Sequence, residues 1–195
     1  MPDKVHLERL TDLRRVDIAP GFCAITRSDR LRETLERVLR LGAVVTAAVE
    51  RSILVGYIVD MPFVPIAVAG GEVRRRWQSV PQARELGGLE VARPYRCMGI
   101  GRRLLLALST AERLQASILM AEGFEWHWDL GACSLSATER RRELLALFEG
   151  TGFRRYDTDE PEVSHSALNF LVAFIGRRVE QESRHAFEAA LFSGQ

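Results

Sequence analysis

The hydrophobic pattern of the chain first predicts a helix near residue 30. Its apolar positions recur at i, i+4, i+7 and i+8: Leu31, Leu35, Val38 and Leu39. Ser28 is placed to cap the start of this helix, and Gly42 is placed to end it. Two stretches rich in β-branched residues, 43–49 and 53–59, then flank a polar turn and predict a hairpin of buried strands.

The second half of the chain alternates between the same two patterns. Residues 70–84 show no sustained period and predict a solvated loop or short helix, and 157–162 predict a solvated acidic loop. Strands are predicted at 86–92, at 117–124 with an aromatic and polar extension, and at 153–156. Four helices are predicted in this half. The first runs from Leu104 to Ala111, and the second runs from a Ser136–Glu139 capping box to Gly150. The third carries Leu168, Leu171, Val172 and Ile175 on one face and ends at Gly176, and the last covers 180–192.

Helices that alternate with strands predict an α/β or α+β fold, in which a mixed central sheet is flanked by helices. The length of 195 residues fits one domain over 1–195. Lys and Arg number 27 against 26 Asp and Glu, so no global field would draw nucleic acid or an acidic membrane to the chain.

The cysteines and the apolar runs indicate the cellular compartment of the protein. Cys23, Cys97 and Cys133 form no CxxC pair, which argues against a disulfide framework or a metal site. The first residues lack a signal-peptide pattern, and no uninterrupted apolar run reaches the length of a membrane span. We therefore expect a cytoplasmic protein without a metal.

A glycine turn between a predicted strand and a predicted helix is the first chemical motif. Gly99 and Gly101 let a ligand approach the start of the helix, where N–H groups and the helix dipole favour an anion. Arg96, Arg102 and Arg103 add positive charge. The turn lacks the Lys-Ser/Thr pair of a P-loop, and Leu104 takes the third glycine position of a dinucleotide fingerprint. A phosphate site is predicted, and a tight structural turn with exposed arginines is the alternative.

The pattern around this turn resembles the acetyl-CoA signature of the GCN5-related N-acetyltransferases (GNAT): Leu89, Val91, Arg96, Gly99, Gly101, Leu104 and Leu105. The resemblance implies a GNAT-like fold and acetyl-CoA as co-substrate, with Leu89 and Val91 along the pantetheine arm. It places the turn around the pyrophosphate: Arg96, Cys97, Met98, Gly99, Ile100, Gly101 and Arg102. Because many members have glycine where this chain has Cys97, the turn is expected to be slightly tighter or rotated.

Three later segments, 126–130, 158–162 and 175–183, resemble the acetoin-utilisation (AcuA) branch of this superfamily. Together with the turn they cover roughly residues 85–192, whereas the N-terminal third matches loosely. The resemblance implies a protein lysine acetyltransferase. The family target is an acetyl-CoA synthetase, which is inactivated when its catalytic lysine is acetylated. A monomer or homodimer is expected.

Acetyl transfer needs a neutral amine, yet a lysine of pKa about 10.4 is only about one part in a few thousand unprotonated at pH 7. Superfamily members usually remove the proton with a carboxylate near the strand before the glycine turn. Glu90 is the first candidate, because strand alternation puts it on the face opposite Leu89 and Val91. Glu85 is the second, since a bulge near Gly87 would switch the parity. A solvated residue or salt-bridge partner is the structural alternative.

Two further groups complete the candidate site. By resemblance, His165 and Asn169 contact CoA from the helix beside the pantetheine; otherwise they cap local backbone. The second group follows the 117–124 strand: Trp126, His127, Trp128 and Asp129. These residues either pack in the core or line an acceptor tunnel, in which aromatic faces surround the lysine stem and the carboxylate lies near its ammonium. Two rival functions stay open, namely acetylation of a small amine and a catalytically silent CoA-binding sensor.

Overall fold

The computed structural model describes residues 5–64, 66–68, 71–73, 76–132 and 135–192. Its helices are α1 (Ser28–Arg40), α2 (Ile100–Ser109), α3 (Ala137–Glu149), α4 (Pro161–Ser164) and α5 (Gln181–Ala190). Its strands are β1 (Val5–Leu10), β2 (Asp17–Ile18), β3 (Val44–Glu50), β4 (Ile53–Pro62), β5 (Ile66–Val68), β6 (Gly71–Val73), β7 (Ala83–Val91), β8 (Ile118–Gly123), β9 (Arg154–Tyr156) and β10 (Phe170–Ile175). Within these ranges no helix combines the length and apolar character that crossing a bilayer requires.

The main sheet has the strand order β1-β3-β4-β7-β8-β10-β9, and β2 pairs with the start of β4. Along this order the neighbours are antiparallel, except for β7 and β8, which are parallel. Strands β5 and β6 form a separate hairpin. Helix α1 packs against β3, α2 packs against β3, β4 and β7, and α4 packs against β10. The predicted mixed sheet flanked by helices is confirmed.

Several predicted elements are confirmed with small shifts at their ends. Helix α1 stops just before Gly42, whose φ of +84° lies in the left-handed region that favours glycine. The hairpin of β3 and β4 turns through Arg51, and α2 follows the glycine turn. Helix α3 begins with the capping box, in which Ser136 and Glu139 each bond the other's backbone.

The prediction of a helix over 168–175 is wrong, because these residues form strand β10. Residues 170–175 are an unbroken apolar run, and periodicity alone does not separate a buried strand from a helix. The run is apolar because β10 lies between β8 and β9, and its first four residues are buried. The strand ends at Gly176, where a Cβ atom would lie 2.4 Å from the carbonyl oxygen of Gln115.

Residues 70–84 were predicted to form a solvated loop or a short helix. Residues 70, 74 and 75 lie outside the described residues, and 76–79 form a short 3₁₀ helix, in agreement with the second alternative. This turn buries Trp77 to 1% exposure, so the prediction that the segment is solvated is wrong at this residue. Its ring lies 6.1 Å from that of Phe187 on α5. Arg76, in the same turn, pairs with Asp159 and Glu160. The segment 157–162 is therefore less solvated than its charge suggests.

A buried carboxylate joins three elements beside β7. Asp60 of β4 is fully buried and accepts a 2.5 Å hydrogen bond from Nε of Arg84 on β7. Its other oxygen accepts from Arg113, in the turn after α2. Both guanidinium groups keep some contact with water, at 25% and 36% exposure. The carboxylate therefore links the strand that carries the site to the helix that follows it.

Replacement of this carboxylate is expected to destabilise the fold. Asp60→Asn removes the negative charge that pairs with Arg84 and Arg113, and we expect a loss of roughly 2 kcal/mol in the free energy of unfolding, less than for a fully buried pair because both arginines can rehydrate. Urea unfolding measures this change. Asp157→Asn is the matched control, since its side chain is 82% exposed and forms a surface pair with Arg155. Equal stability of the two variants would contradict the prediction.

Candidate active site

The parallel pairing of β7 and β8 is short and opens into a fork. Their register runs only from Ala83 with Ile118 to Glu85 with Met120. A cleft of about 1030 Å³ lies between the strands beyond this point. Its other walls come from the segment before α1, the glycine turn before α2, the loop after β8, and α3. We call the last paired residues, Glu85 and Met120, the closed end of the fork, and the ends of the strands its open end.

Each strand of the fork keeps a partner on its outer edge only. Strand β7 pairs with β4 as far as Val91, and β8 pairs with β10 as far as Gly123. Their inner edges therefore present backbone N–H and C=O groups to the cleft, where water or a ligand must satisfy them. Such an opening suits an extended ligand with its own amide groups, because the ligand can pair like an added strand.

A β-bulge at Gly87 decides which side chains of β7 share a face. The register against β4 skips Gly87, which has no partner residue in either ladder of β7 among the described strands. Without this bulge Glu85 and Glu90 would lie on opposite faces, and with it they lie on the same face. The bulge that makes Glu85 a candidate general base, by changing the face on which its side chain lies, is therefore present in the structure.

Glu90 anchors the segment that precedes α1. Its side chain is buried, and Oε1 accepts hydrogen bonds from the backbone N–H groups of Cys23 at 2.7 Å and Ala24 at 2.8 Å. Oε2 accepts from the N–H of Ile25 and from the hydroxyl of Tyr57, both at 3.3 Å. Burial, with the adjacent carboxylate, holds the pKa of Tyr57 far above its usual value. Ala24 and Ile25 line the cleft, so Glu90 fixes one of its walls.

The glycine turn leaves the start of α2 open. Gly99 is the N-cap residue, at φ +72°, and no side chain caps the first N–H groups of the helix. A Cβ atom on Gly99 would meet nothing within 4 Å, so there is room for a ligand. Cys97 adopts φ +63°, the left-handed conformation that glycine takes without strain. The turn therefore keeps a conformation that suits glycine, although the residue is a cysteine.

Asp129 joins the two strands across the open end of the fork. Its carboxylate accepts two hydrogen bonds from Arg93, at 2.6 and 2.7 Å, and one of 2.7 Å from Arg96. The Cys23 thiol lies 3.1 Å away. Hydrogen bonds from Arg93, Cys23 and Arg96 hold the pKa of the Asp129 carboxyl well below its usual range. The same carboxylate and burial raise the pKa of the Cys23 thiol.

These contacts alter two of the predicted roles. Arg96 was expected to reach a pyrophosphate, but its guanidinium is held by Asp129 and by the carbonyl oxygen of Val91, at 3.0 Å. Asp129 was expected near a lysine ammonium, but two arginines already surround it. Arg102, on the first turn of α2, is exposed and lines the cleft without an ion pair among the described residues. It is the arginine best placed to meet an anion at the turn.

The loop after β8 is a 3₁₀ turn over 125–127, so the predicted extension of the strand is wrong here. The ring of Trp126 is 54% exposed and stacks on Phe124, with centroids 4.6 Å apart. His127 lines the cleft, and burial lowers its pKa. Trp128 lines the cleft and packs against Phe170, at 6.2 Å. Packing and cleft-lining roles therefore coexist in this loop.

Two residues that the resemblance assigned to CoA lie outside the cleft. Their assignment depended on a helix that is absent. His165 is exposed and ends the short α4. Asn169 is buried: its Oδ1 accepts from the N–H of Glu125 at 3.0 Å, and its Nδ2 donates to the carbonyl of Glu162 at 2.8 Å. Asn169 therefore ties the loop after β8 to α4, and both of these segments carry residues that line the cleft.

The cleft gathers most of the predicted site residues: Glu85, Leu89, Glu90, Val91, Arg96, Cys97, Gly99, Ile100, Gly101, Arg102, His127, Trp128 and Asp129. Met98, which is 53% exposed, and Trp126 do not line it. The sequence analysis missed Glu122 and Arg140, which do. A single acidic residue inside an apolar strand was the available signal for Glu122. Arg140 was hidden in a run of three arginines.

The fold is that of the GNAT acetyltransferases. A solved structure described as a putative acetyltransferase of the GNAT family, from Desulfovibrio desulfuricans, aligns with a TM-score of 0.51 and 17% identity, covering 87% of this chain and 96% of that one. A complex described as AtaTR bound with acetyl-CoA aligns at 0.53 and 15% identity, covering 88% and 93%.

An acetoin utilization protein from Exiguobacterium sibiricum aligns much better, with a TM-score of 0.84 and 22% identity over 96% of this chain and 95% of that one. In sequence, the acetoin utilization protein AcuA of Bacillus subtilis is 36% identical over 108 residues, 55% of this chain and 51% of that protein. The chain thus spans about half the length of the curated relatives it matches. No family model matches it. The predicted resemblance to GNAT and AcuA proteins is confirmed.

Loss of the Glu90 anchor is expected to loosen the wall before α1. Glu90→Gln turns an acceptor toward backbone N–H groups into a partial donor, and we expect a loss of about 1–3 kcal/mol in the free energy of unfolding. Hydrogen exchange at the amides of 23–25 should accelerate in the same variant. Glu33→Gln, an exposed change on α1, serves as the control. Unchanged protection of 23–25 in Glu90→Gln would show that the anchor is unimportant.

Proposed function

We propose that this chain is an acetyl-CoA-dependent N-acetyltransferase that acetylates a lysine of a protein. The observation that carries the proposal is the fork between β7 and β8, with an open glycine turn at one end and carboxylates at the other. The fold of the GNAT acetyltransferases and the sequence similarity to AcuA support it. The activity and its acceptor are inferences from these features.

The cofactor fits the fork from its open end. Acetyl-CoA carries a pyrophosphate, an extended pantetheine arm with two amides, and a thioester. The N–H groups at the start of α2, with Arg102, bind the pyrophosphate. The arm then lies along the unpaired inner edge of β7, beside Leu89 and Val91. The thioester is thereby delivered to the bulge at Gly87, near the closed end.

Acidic side chains make the inner part of the cleft suitable for a cation. Glu85 and Glu122 lie on one face of the sheet, because Glu85 pairs with Met120 and Glu122 is two residues further along β8. Glu162 of α4 lines the same cleft. These carboxylates attract a lysine ammonium, and the aromatic rings of the loop after β8 offer faces to its stem.

Glu85 is the carboxylate that we propose as the general base. It stands at the closed end, where the arm delivers the thioester. Glu90 lies further toward the open end and anchors the segment 23–25. The carboxylate takes a proton from the ammonium, directly or through water. The neutral amine attacks the thioester carbonyl carbon, the C–S bond breaks, and the thiolate leaves and is protonated to CoA. The unpaired backbone of Gly87 is placed to stabilise the carbonyl oxygen during attack.

The acceptor is inferred from the AcuA resemblance. The relatives are named for acetoin utilization, and the AcuA branch implies an acetyl-CoA synthetase as the protein substrate. Acetylation of its catalytic lysine would then switch off synthesis of acetyl-CoA when that product accumulates. We propose the same role here, in a reducing cytosol, with the chain acting as a monomer or homodimer.

Glu85→Gln should lower kcat by about 10²–10⁴-fold, because the amide cannot accept the proton. The KM for acetyl-CoA should change little. Steady-state kinetics measure both parameters. Glu90→Gln is the comparison: an equal loss of kcat there, with hydrogen exchange at 23–25 unchanged, would assign the base to Glu90 instead.

The function is tested by incubating the protein with acetyl-CoA and a purified acetyl-CoA synthetase from the same organism. Intact mass and peptide mapping follow the modification. One acetylated lysine, with loss of synthetase activity, is the expected result, and Glu85→Gln should abolish it. Turnover on polyamines or aminoglycosides alone would point to a small-amine acetyltransferase. Binding of CoA without turnover on any acceptor would point to a sensor.

A further inference from the structure

Arg140 of α3 holds a buried donor that nothing in the described part of the chain accepts. Its side chain lines the cleft and is 29% exposed. One terminal nitrogen lies 3.2 Å from Oε2 of Glu143, one turn further along the helix. Its Nε is buried and has no hydrogen-bond partner. Buried donors normally have acceptors, so this guanidinium is only partly satisfied when the cleft holds no ligand.

The neighbouring arginines on α3 do not share this property. Arg141 donates from Nε to the carbonyl oxygen of Leu168, at 3.1 Å, and so fastens the helix to the residues before β10. Arg142 is exposed and does not line the cleft. Of these three consecutive arginines, Arg140 alone combines access to the cleft with a donor that lacks an acceptor.

The direction of α3 places Arg140 toward the open end of the fork. Helix α3 and strand β9 follow one another through a short turn and run in opposite directions. Strand β9 runs toward the open end, because its last residue, Tyr156, pairs with Leu171, next to the end of β8. The first turns of α3, which carry Arg140, therefore lie on the side away from Glu85.

A contact between α3 and the glycine turn shows how far Arg140 lies from the turn. Leu147 lies 3.9 Å from the position that a Cβ atom of Gly101 would occupy. Arg140 precedes Leu147 by two helical turns on the same face, about 10 Å along the helix axis. An anion held by Arg140 would therefore lie beyond the anion site of the glycine turn, within reach of an arginine side chain.

We propose that Arg140 binds the 3′-phosphate on the ribose of coenzyme A. The inference rests on the proposed function, in which the thioester lies at the closed end and the pyrophosphate lies on the glycine turn. The 3′-phosphorylated nucleoside is then the part of the cofactor that extends beyond the turn. A guanidinium forms charge-assisted bonds with two phosphate oxygens, which would give the unsatisfied donors of Arg140 their acceptors. Glu143 holds the group in place until the phosphate arrives.

Binding of CoA and of 3′-dephospho-CoA, measured by calorimetry, tests this role without any turnover. The wild-type protein should bind CoA about tenfold more tightly than 3′-dephospho-CoA. Arg140→Gln should remove that preference and leave the affinity for 3′-dephospho-CoA unchanged. Arg140→Lys should retain part of the preference, since it keeps the charge but loses the planar fork. Arg142→Gln is the matched control, because it removes the same charge from the same helix outside the cleft.

Three results would overturn the assignment. If the wild-type protein binds the two ligands equally, no group reads the 3′-phosphate. If Arg140→Gln weakens both ligands by the same factor, Arg140 contacts another part of the cofactor. If Arg142→Gln loses the preference as fully as Arg140→Gln, the effect is one of general charge. If the wild-type protein binds neither ligand, the proposed function is overturned together with the role of Arg140. The first three results overturn the role of Arg140 alone.

Discussion

Strands β7 and β8 share only three residue pairs, and the rest of the site follows from the backbone groups that their separation leaves unpaired. An open edge inside a sheet is unfavourable unless water or a ligand satisfies it. The structure limits this exposure by pairing β7 with β4 and β8 with β10 on their outer edges. Asp129 then joins the two open ends through Arg93 and Arg96. The fork is thus held at both ends and exposed only between them.

Acidic side chains hold this arrangement as much as they serve its chemistry. Glu90 and Asp129 were natural candidates for roles toward a substrate, since Glu90 closely precedes the glycine turn in sequence and both residues line the cleft. In the structure, Glu90 binds three successive backbone N–H groups, and Asp129 binds two arginines. Asp60 does the same for Arg84 and Arg113. These three carboxylates fix the positions of the segments that they bind.

Much of the fold could be predicted from local patterns. Helices α1 and α3 carry their own stop and start signals, in Gly42 and the Ser136 capping box, and the glycine turn marks the boundary between β7 and α2. Strand β10 was mistaken for a helix, because a strand buried on both faces loses the alternation that identifies strands. Trp77 was misplaced because its burial depends on α5, more than a hundred residues away in the chain.

The candidate site was predictable in its composition and less so in its contacts. Sequence spacing placed the glycine turn and two acidic residues on or beside one strand, and the cleft contains them. It could not show that Arg96 faces Asp129, because Asp129 lies in the loop after β8, more than thirty residues away in the chain. It also could not show the segment 23–25, which Glu90 and Asp129 hold beside the cleft. Contacts between distant segments are set by tertiary packing, which single residue patterns do not record.

The distribution of charge along the cleft explains how an almost neutral chain can bind both an anion and a cation. The formal net charge is +1, so no long-range field favours either ligand. Arg102 and Arg140 line the open side of the fork, where Asp129 and Glu143 are paired with arginines, and Glu85 lies at the closed end. Low-dielectric walls strengthen each local field, because less water screens the charges. In the proposed function, the phosphates of acetyl-CoA would therefore orient the ligand before its carbonyl makes any contact.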